Sequence, residues 1–157
     1  MTGRIDARLA ELGLTLPDVT TPVANYVPFV RVGDLLILSG QIPLADGKPA
    51  FTGLLGAGVT VAEGQAAARL CAVNLLAQVR AACDGDLDRV VQVVRLGVFV
   101  AGTPDFGDHP KVANGASDLM VDVFGDAGRH ARAAVGCPSL PLGVPVEVEG
   151  TVRLTGS

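Results

Sequence analysis

The chain has 157 residues, 49% of them hydrophobic and only 18% charged, with 20 glycines and no tryptophan. That length suits one domain able to bury its own core, and so low a charge fraction points to apolar surface hidden beyond a monomer's core, as in an oligomer. The net charge is −4 and the 12 lysines and arginines are scattered, which leaves no basic footprint of the kind that neutralises phosphates and argues against a nucleic-acid partner.

The first residues mix Arg4, Asp6, Arg8 and Glu11 with Leu and Ala, without the apolar core of a secretion leader. No uncharged apolar stretch reaches the roughly 18 residues a membrane span needs. Asp6–Leu12 reads as a short helix stopped by Gly13 and Pro17, with a loop over Pro17–Pro22. Residues 1–20 are thus expected to form a helical extension to a domain over 21–157. Tyr26–Val32 and Leu35–Ser39 read as strands joined by Gly33-Asp34, the two-residue spacing of a hairpin. Leu35–Leu38 is continuously apolar, as in a strand covered on both faces.

Pro43–Gly58 is loop-rich, with a turn at Asp46-Gly47. Thr60 and Glu63 form a capping box for a long helix ending near Cys83. Its polar residues fall in two strips divided by apolar surface, implying contact on two sides. Val90–Val100 reads as a strand, Thr103–Pro110 as a loop, Val112–Phe124 as a second helix and 125–128 as a loop. Ala131–Cys137 and Val144–Leu154 are the last strands. The fold class this implies is α+β: one mixed sheet with both helices on one face, its other face covered by further subunits. Cys71, Cys83 and Cys137 are odd in number and widely spaced, which suggests buried thiols in a reducing compartment, the cytoplasm.

Charged residues inside apolar strands are the informative ones, because strand interiors rarely hold charge without a partner or a task. Arg132 stands in Ala131–Val135, and strand period puts it on one face with His130 and Ala134. Glu147 and Glu149 share a face of the last strand. Arg132 suits a two-pronged grip on a carboxylate, and a nearby glutamate could hold a water or carry a proton. The same residues also suit a structural Arg–Glu pair across adjacent strands. Ser39-Gly40 ends an apolar strand where backbone N–H groups could meet an anion, or is an ordinary strand exit. Tyr26, the one tyrosine, reads as a packing residue with a wet hydroxyl. His130 suits a pocket acid or base, or a surface histidine. Asp105, Asp108 and His109 match no metal-ligand spacing, so no metal is expected.

Together these segments resemble the RidA/YjgF family, also labelled endoribonuclease-like. The resemblance runs over roughly residues 22 to 155. It is carried by Tyr26 followed by VGDLLILSGQIP, by DLDRVVQVVRLGVFV, by Asn114, and most specifically by ARAAV, then Leu140-Pro141, then VEVE. It implies a chorismate-mutase-like fold, a homotrimer with clefts between subunits, and a cofactor-free hydrolysis of 2-imino or 2-enamino acids to 2-keto acids and ammonia. By matching position, Arg132 would clamp the substrate carboxylate and Glu147 would place the attacking water. Ser39 and Gly40 would line the pocket beside the arginine, with Tyr26 and Asn114 as its wall, contributed by a neighbouring chain. The chain departs from the common pattern at Ala24, Asn25, His130, Ala133 and Ala134, and in its N-terminal helix. A trimer that binds small carboxylates without turnover is the alternative reading; a ribonuclease, the older label, is disfavoured by the charge.

Overall fold

The computed structural model describes residues 2–19 and 24–156. In chain order the elements are helix α1 (Arg4–Glu11), strands β1 (Phe29–Val32) and β2 (Leu35–Gln41), and the short strands β3 (Leu44–Ala45), β4 (Lys48–Pro49), β5 (Leu54–Leu55) and β6 (Gly58–Val59). Helix α2 (Val61–Ala82), strand β7 (Val90–Ala101), helix α3 (His109–Phe124), strand β8 (Ala131–Cys137) and strand β9 (Val146–Leu154) follow. The main sheet has the order β1-β2-β9-β7-β8. Its pairings are antiparallel except between β7 and β8, which run parallel because α3 carries the chain back across the sheet.

The local chemistry explains the joints. Gly33 has φ 61°, the left-handed backbone that the β1–β2 turn needs and glycine adopts without a Cβ clash. Asp46 and Gly47 are both left-handed, at φ 51° and 76°, and close the small β3–β4 hairpin. At the start of α2, the Thr60 hydroxyl accepts from Glu63 N at 3.1 Å and the Glu63 carboxylate accepts from Thr60 N at 2.8 Å, the reciprocal box expected. Helix α3 begins at His109, inside the stretch expected to be a loop, because Pro110 sits in its first turn, where a missing N–H costs nothing. The first strand starts at Phe29 rather than Tyr26, and the last at Val146, directly after Pro145. Residues 125–128, expected to be a loop, form a 3-10 turn. The loop expected over 17–22 lies partly outside the described residues.

The core lies between the sheet and the two long helices. Leu36, Val93, Leu96, Val98, Val148 and Val152 rise from the strands to meet the apolar side of α2 and α3. Each such side chain stabilises the fold by roughly 1.5–3 kcal/mol. The two polar strips of α2 are both used: Gln65 donates to the Lys111 carbonyl at 2.8 Å, while Asn74 donates to the carbonyls of Ile42 and Leu44 at 3.0 and 3.2 Å. Helix α1, the N-terminal helix expected over Asp6–Leu12, packs against α3 and the turn that precedes β7. Its first amides, on Arg4 and Ile5, donate to the Asp88 carboxylate at 2.8 Å each, and Ile5 and Leu9 are buried. Those two hydrogen bonds hold the Asp88 carboxyl below its ordinary range.

The opposite face of the sheet is bare in the single chain. Ile37, expected to be covered on both sides, is 47% exposed, and Val30, Val94 and Val135 are exposed as well. Among the described residues no helix is long and apolar enough to cross a membrane.

Helices α2 and α3 approach closely at Gly115, where an added Cβ would overlap the Gln65 carbonyl oxygen. Overpacking of this kind costs about 1–3 kcal/mol or more. Gly115→Ala is therefore expected to lower the unfolding free energy, read from urea denaturation, by an amount in that range, whereas alanine at the exposed, helical Asp118 should leave it nearly unchanged.

Candidate functional site

Arg132 is in register with Leu96, which faces the helices, so its side chain rises on the helix side of the outermost strand. There α3 meets it. Arg132 Nη1 donates to Asn114 Oδ1 at 2.8 Å and to Ser117 Oγ at 3.1 Å. Asn114 and Ser117 are three residues apart, hence neighbours on one helix face. His130, two residues before Arg132 on the same side, places Nε2 2.8 Å from Ser117 Oγ and Nδ1 2.6 Å from the Gly128 carbonyl. Ser117, Val121, Arg129, His130 and Arg132 line an open hollow of about 320 Å³.

Both hydrogens of Arg132 Nη1 are used, and Nε and Nη2 enter no hydrogen bond within the described residues. Among those residues no carboxylate lies within ion-pair reach of Arg132. The side-on edge, the one that forks onto a carboxylate, is thus unspent.

Glu147 lies elsewhere. It is in register with Phe99 on the bare face, while Arg132 is on the helix face, and β7 separates β8 from β9. A structural Arg132–Glu147 pair across adjacent strands does not form: the two strands are not adjacent, and one chain holds the two side chains on opposite sides of its sheet. Glu147 is half-buried, and burial, with the Glu149 charge added, pushes its carboxyl above the ordinary range. Glu149 is offset by Arg95 at 3.5 Å. Gly40, beside the bulge in β2, is where Glu147 needs room, since an added Cβ there would overlap Oε1. Ser39 donates its hydroxyl to the Val27 carbonyl at 2.7 Å, which ties the Tyr26 segment to the same region. Tyr26 itself is exposed.

The residues singled out from sequence therefore form two groups: Arg132, Asn114 and His130 on the helix side, and Ser39, Gly40 and Glu147, with Tyr26 nearby, toward the bare face. Ser117 was not among them, because a serine within a helix carries no local signal. Its spacing from Asn114, opposite the His130–Arg132 pair, was the available clue. A larger, mostly apolar hollow of about 480 Å³ sits between Leu54, Phe106, His109 and Cys137. It holds no guanidinium, and burial keeps the Cys137 thiol above its ordinary range, which disfavours a thiolate there.

A five-stranded mixed sheet backed by long helices on one face is the architecture of a chorismate-mutase-like α+β protein. The YjgF/chorismate-mutase-like family model, whose description also carries an endoribonuclease label, matches residues 6–148. Protein TCP17 of Trypanosoma cruzi is 52% identical over 154 residues, spanning 98% of this chain and 96% of its own length. The RutC family protein y4sK of Sinorhizobium fredii is 33% identical over 138 residues, covering 88% and 94% respectively. The crystal structure of Atu1372 from Agrobacterium tumefaciens superposes with a TM-score of 0.90 at 53% identity, over 96% of this chain and 92% of that one. The chain belongs to the RidA/YjgF family.

Glu149→Gln removes the second cause of the raised Glu147 carboxyl and leaves the first. Carbon-detected NMR titration of Glu147 should therefore show its midpoint falling toward, without reaching, the ordinary glutamate range. An unchanged midpoint would mean that burial alone sets it.

Proposed function

We propose that the protein hydrolyses 2-imino acids and their enamine tautomers to 2-keto acids and ammonia, in a site completed where copies of the chain meet. The observation that carries this reading is the Nε–Nη2 edge of Arg132, a side chain held by neutral groups and answered by no carboxylate among the described residues. A 2-imino acid presents the carboxylate such a fork takes. Its iminium carbon is already electrophilic, so the protein's work is to orient acid, imine and water.

In this reading Arg132 clamps the carboxylate and Asn114 steadies the clamp. Glu147 accepts a proton as water adds to the iminium carbon. The resulting amino alcohol takes up a proton on nitrogen, the C–N bond breaks, and loss of the hydroxyl proton leaves the keto acid and ammonia. No cofactor enters. A carboxyl above the ordinary range suits Glu147, since a base whose own affinity for protons is raised takes one from water more readily. Gly40 and Ser39 line the water side, with Tyr26 as outer wall.

Since Arg132 and Glu147 face opposite sides of one sheet, a second copy has to bring its glutamate side to the first copy's arginine. The bare apolar face, with Ile37, Val94 and Val135 exposed, suits burial by such copies, and the homotrimer implied by the resemblance is the assembly we assign. The alternative, a trimer that binds small carboxylates without turnover, uses the same arginine and leaves Glu147 idle.

Ammonia release from freshly generated 2-iminobutanoate decides between them. The wild-type protein should exceed the spontaneous rate, Arg132→Ala should lose about 100-fold of that excess or more, and Glu147→Gln should lose it while still binding 2-oxobutanoate. Wild-type protein that binds 2-oxobutanoate yet adds nothing to the spontaneous rate is the carboxylate binder. Sedimentation velocity should give a mass of three chains.

A further inference from the structure

His130, Ser117 and Arg132 form a row of hydrogen bonds whose directions follow from its two ends for the neutral imidazole. The Gly128 carbonyl can only accept, so His130 Nδ1, 2.6 Å away, carries the hydrogen and donates. Arg132 can only donate, so Ser117 Oγ accepts from it at 3.1 Å. A neutral imidazole protonated at Nδ1 turns a lone pair outward at Nε2, and the Ser117 hydroxyl spends its one hydrogen there, at 2.8 Å. The bonds point one way, from guanidinium to backbone carbonyl. The far end is anchored: Gly128 is buried so tightly that an added Cβ would overlap the Met120 carbonyl oxygen, and Gln92 Nε2 donates to the adjoining Arg129 carbonyl.

Both ring nitrogens of His130 are thus engaged inside the chain, and its ring has no free nitrogen for a ligand. We propose that Ser117 and His130 are positioning residues for the arginine clamp, a role that rests on the carboxylate-binding reading of Arg132 given above. His130 fixes the Ser117 hydroxyl so that its lone pair faces Nη1. With Asn114 on the other Nη1 hydrogen, two points fix the guanidinium plane and leave the Nε–Nη2 edge turned outward for the substrate acid. Without His130, the hydroxyl rotates and can bond back to a carbonyl of its own helix, as serines within helices do. The guanidinium then keeps one anchor instead of two.

The test is the affinity of the full chain for 2-oxobutanoate by calorimetry, with Arg132→Ala as reference and melting temperatures taken throughout. Ser117→Ala and His130→Ala should each weaken binding about 5- to 10-fold, the worth of one well-placed hydrogen bond. Because the two act in series, the double variant should bind no more weakly than Ser117→Ala alone. His130→Gln, whose amide oxygen can accept from Ser117, should recover most of the loss, and turnover should show KM rising more than kcat falls. Should His130→Ala not fold, Ser117→Ala compared with Ser117→Thr, which keeps the hydroxyl, carries the same comparison. If Arg132→Ala loses binding while Ser117→Ala and His130→Ala keep it, or if the two losses multiply, the positioning role is overturned and the clamp stands. If Arg132→Ala binds as well as wild type, the clamp itself fails and this proposal falls with it.

Discussion

A carboxamide and a hydroxyl, both neutral, hold the Arg132 guanidinium against α3. That choice of partners decides what the open edge of the sheet can do. A carboxylate in the same place would cancel the charge and occupy the fork, leaving a structural ion pair of small net worth. Neutral acceptors take the two hydrogens of one nitrogen and leave the cation uncompensated. The cost of holding it so is modest, because the group is exposed and water solvates what the protein does not.

The fold explains why the arginine is at an edge and the glutamate is not. The chain passes from β7 through α3 to β8, which extends the sheet outward and brings α3 alongside the new strand. It then returns over β7 to insert β9 between β2 and β7. Glu147 is thereby set in the middle of the bare face, in the partly desolvated surroundings that raise its carboxyl. Within the chain, the guanidinium and the carboxyl are separated by the thickness of one sheet.

Much of this was legible from residue order. The Gly33-Asp34 turn, the Thr60–Glu63 box and the period of the strands mark the elements, because each is a local signal with a local cause. The shared side of His130 and Arg132 followed from strand alternation. The relation of Arg132 to Glu147 did not, because adjacency along the chain says nothing of which strand a crossover inserts between two others. Helix α3 began earlier than expected because Pro110 serves as a helix starter there rather than as a loop residue. Ser117 stayed silent because its partner is a histidine brought to it from 13 residues away.

Gly40 has a consequence that reaches past the geometry of one pocket. Glu147 keeps its place because Gly40 contributes no side-chain atoms, an emptiness that no folding energy protects. Position 40 is exposed at a bulge, where a heavier residue would cost the scaffold little. A descendant chain could thus fold and keep its arginine while a single methyl group at position 40 moves the Glu147 carboxyl aside.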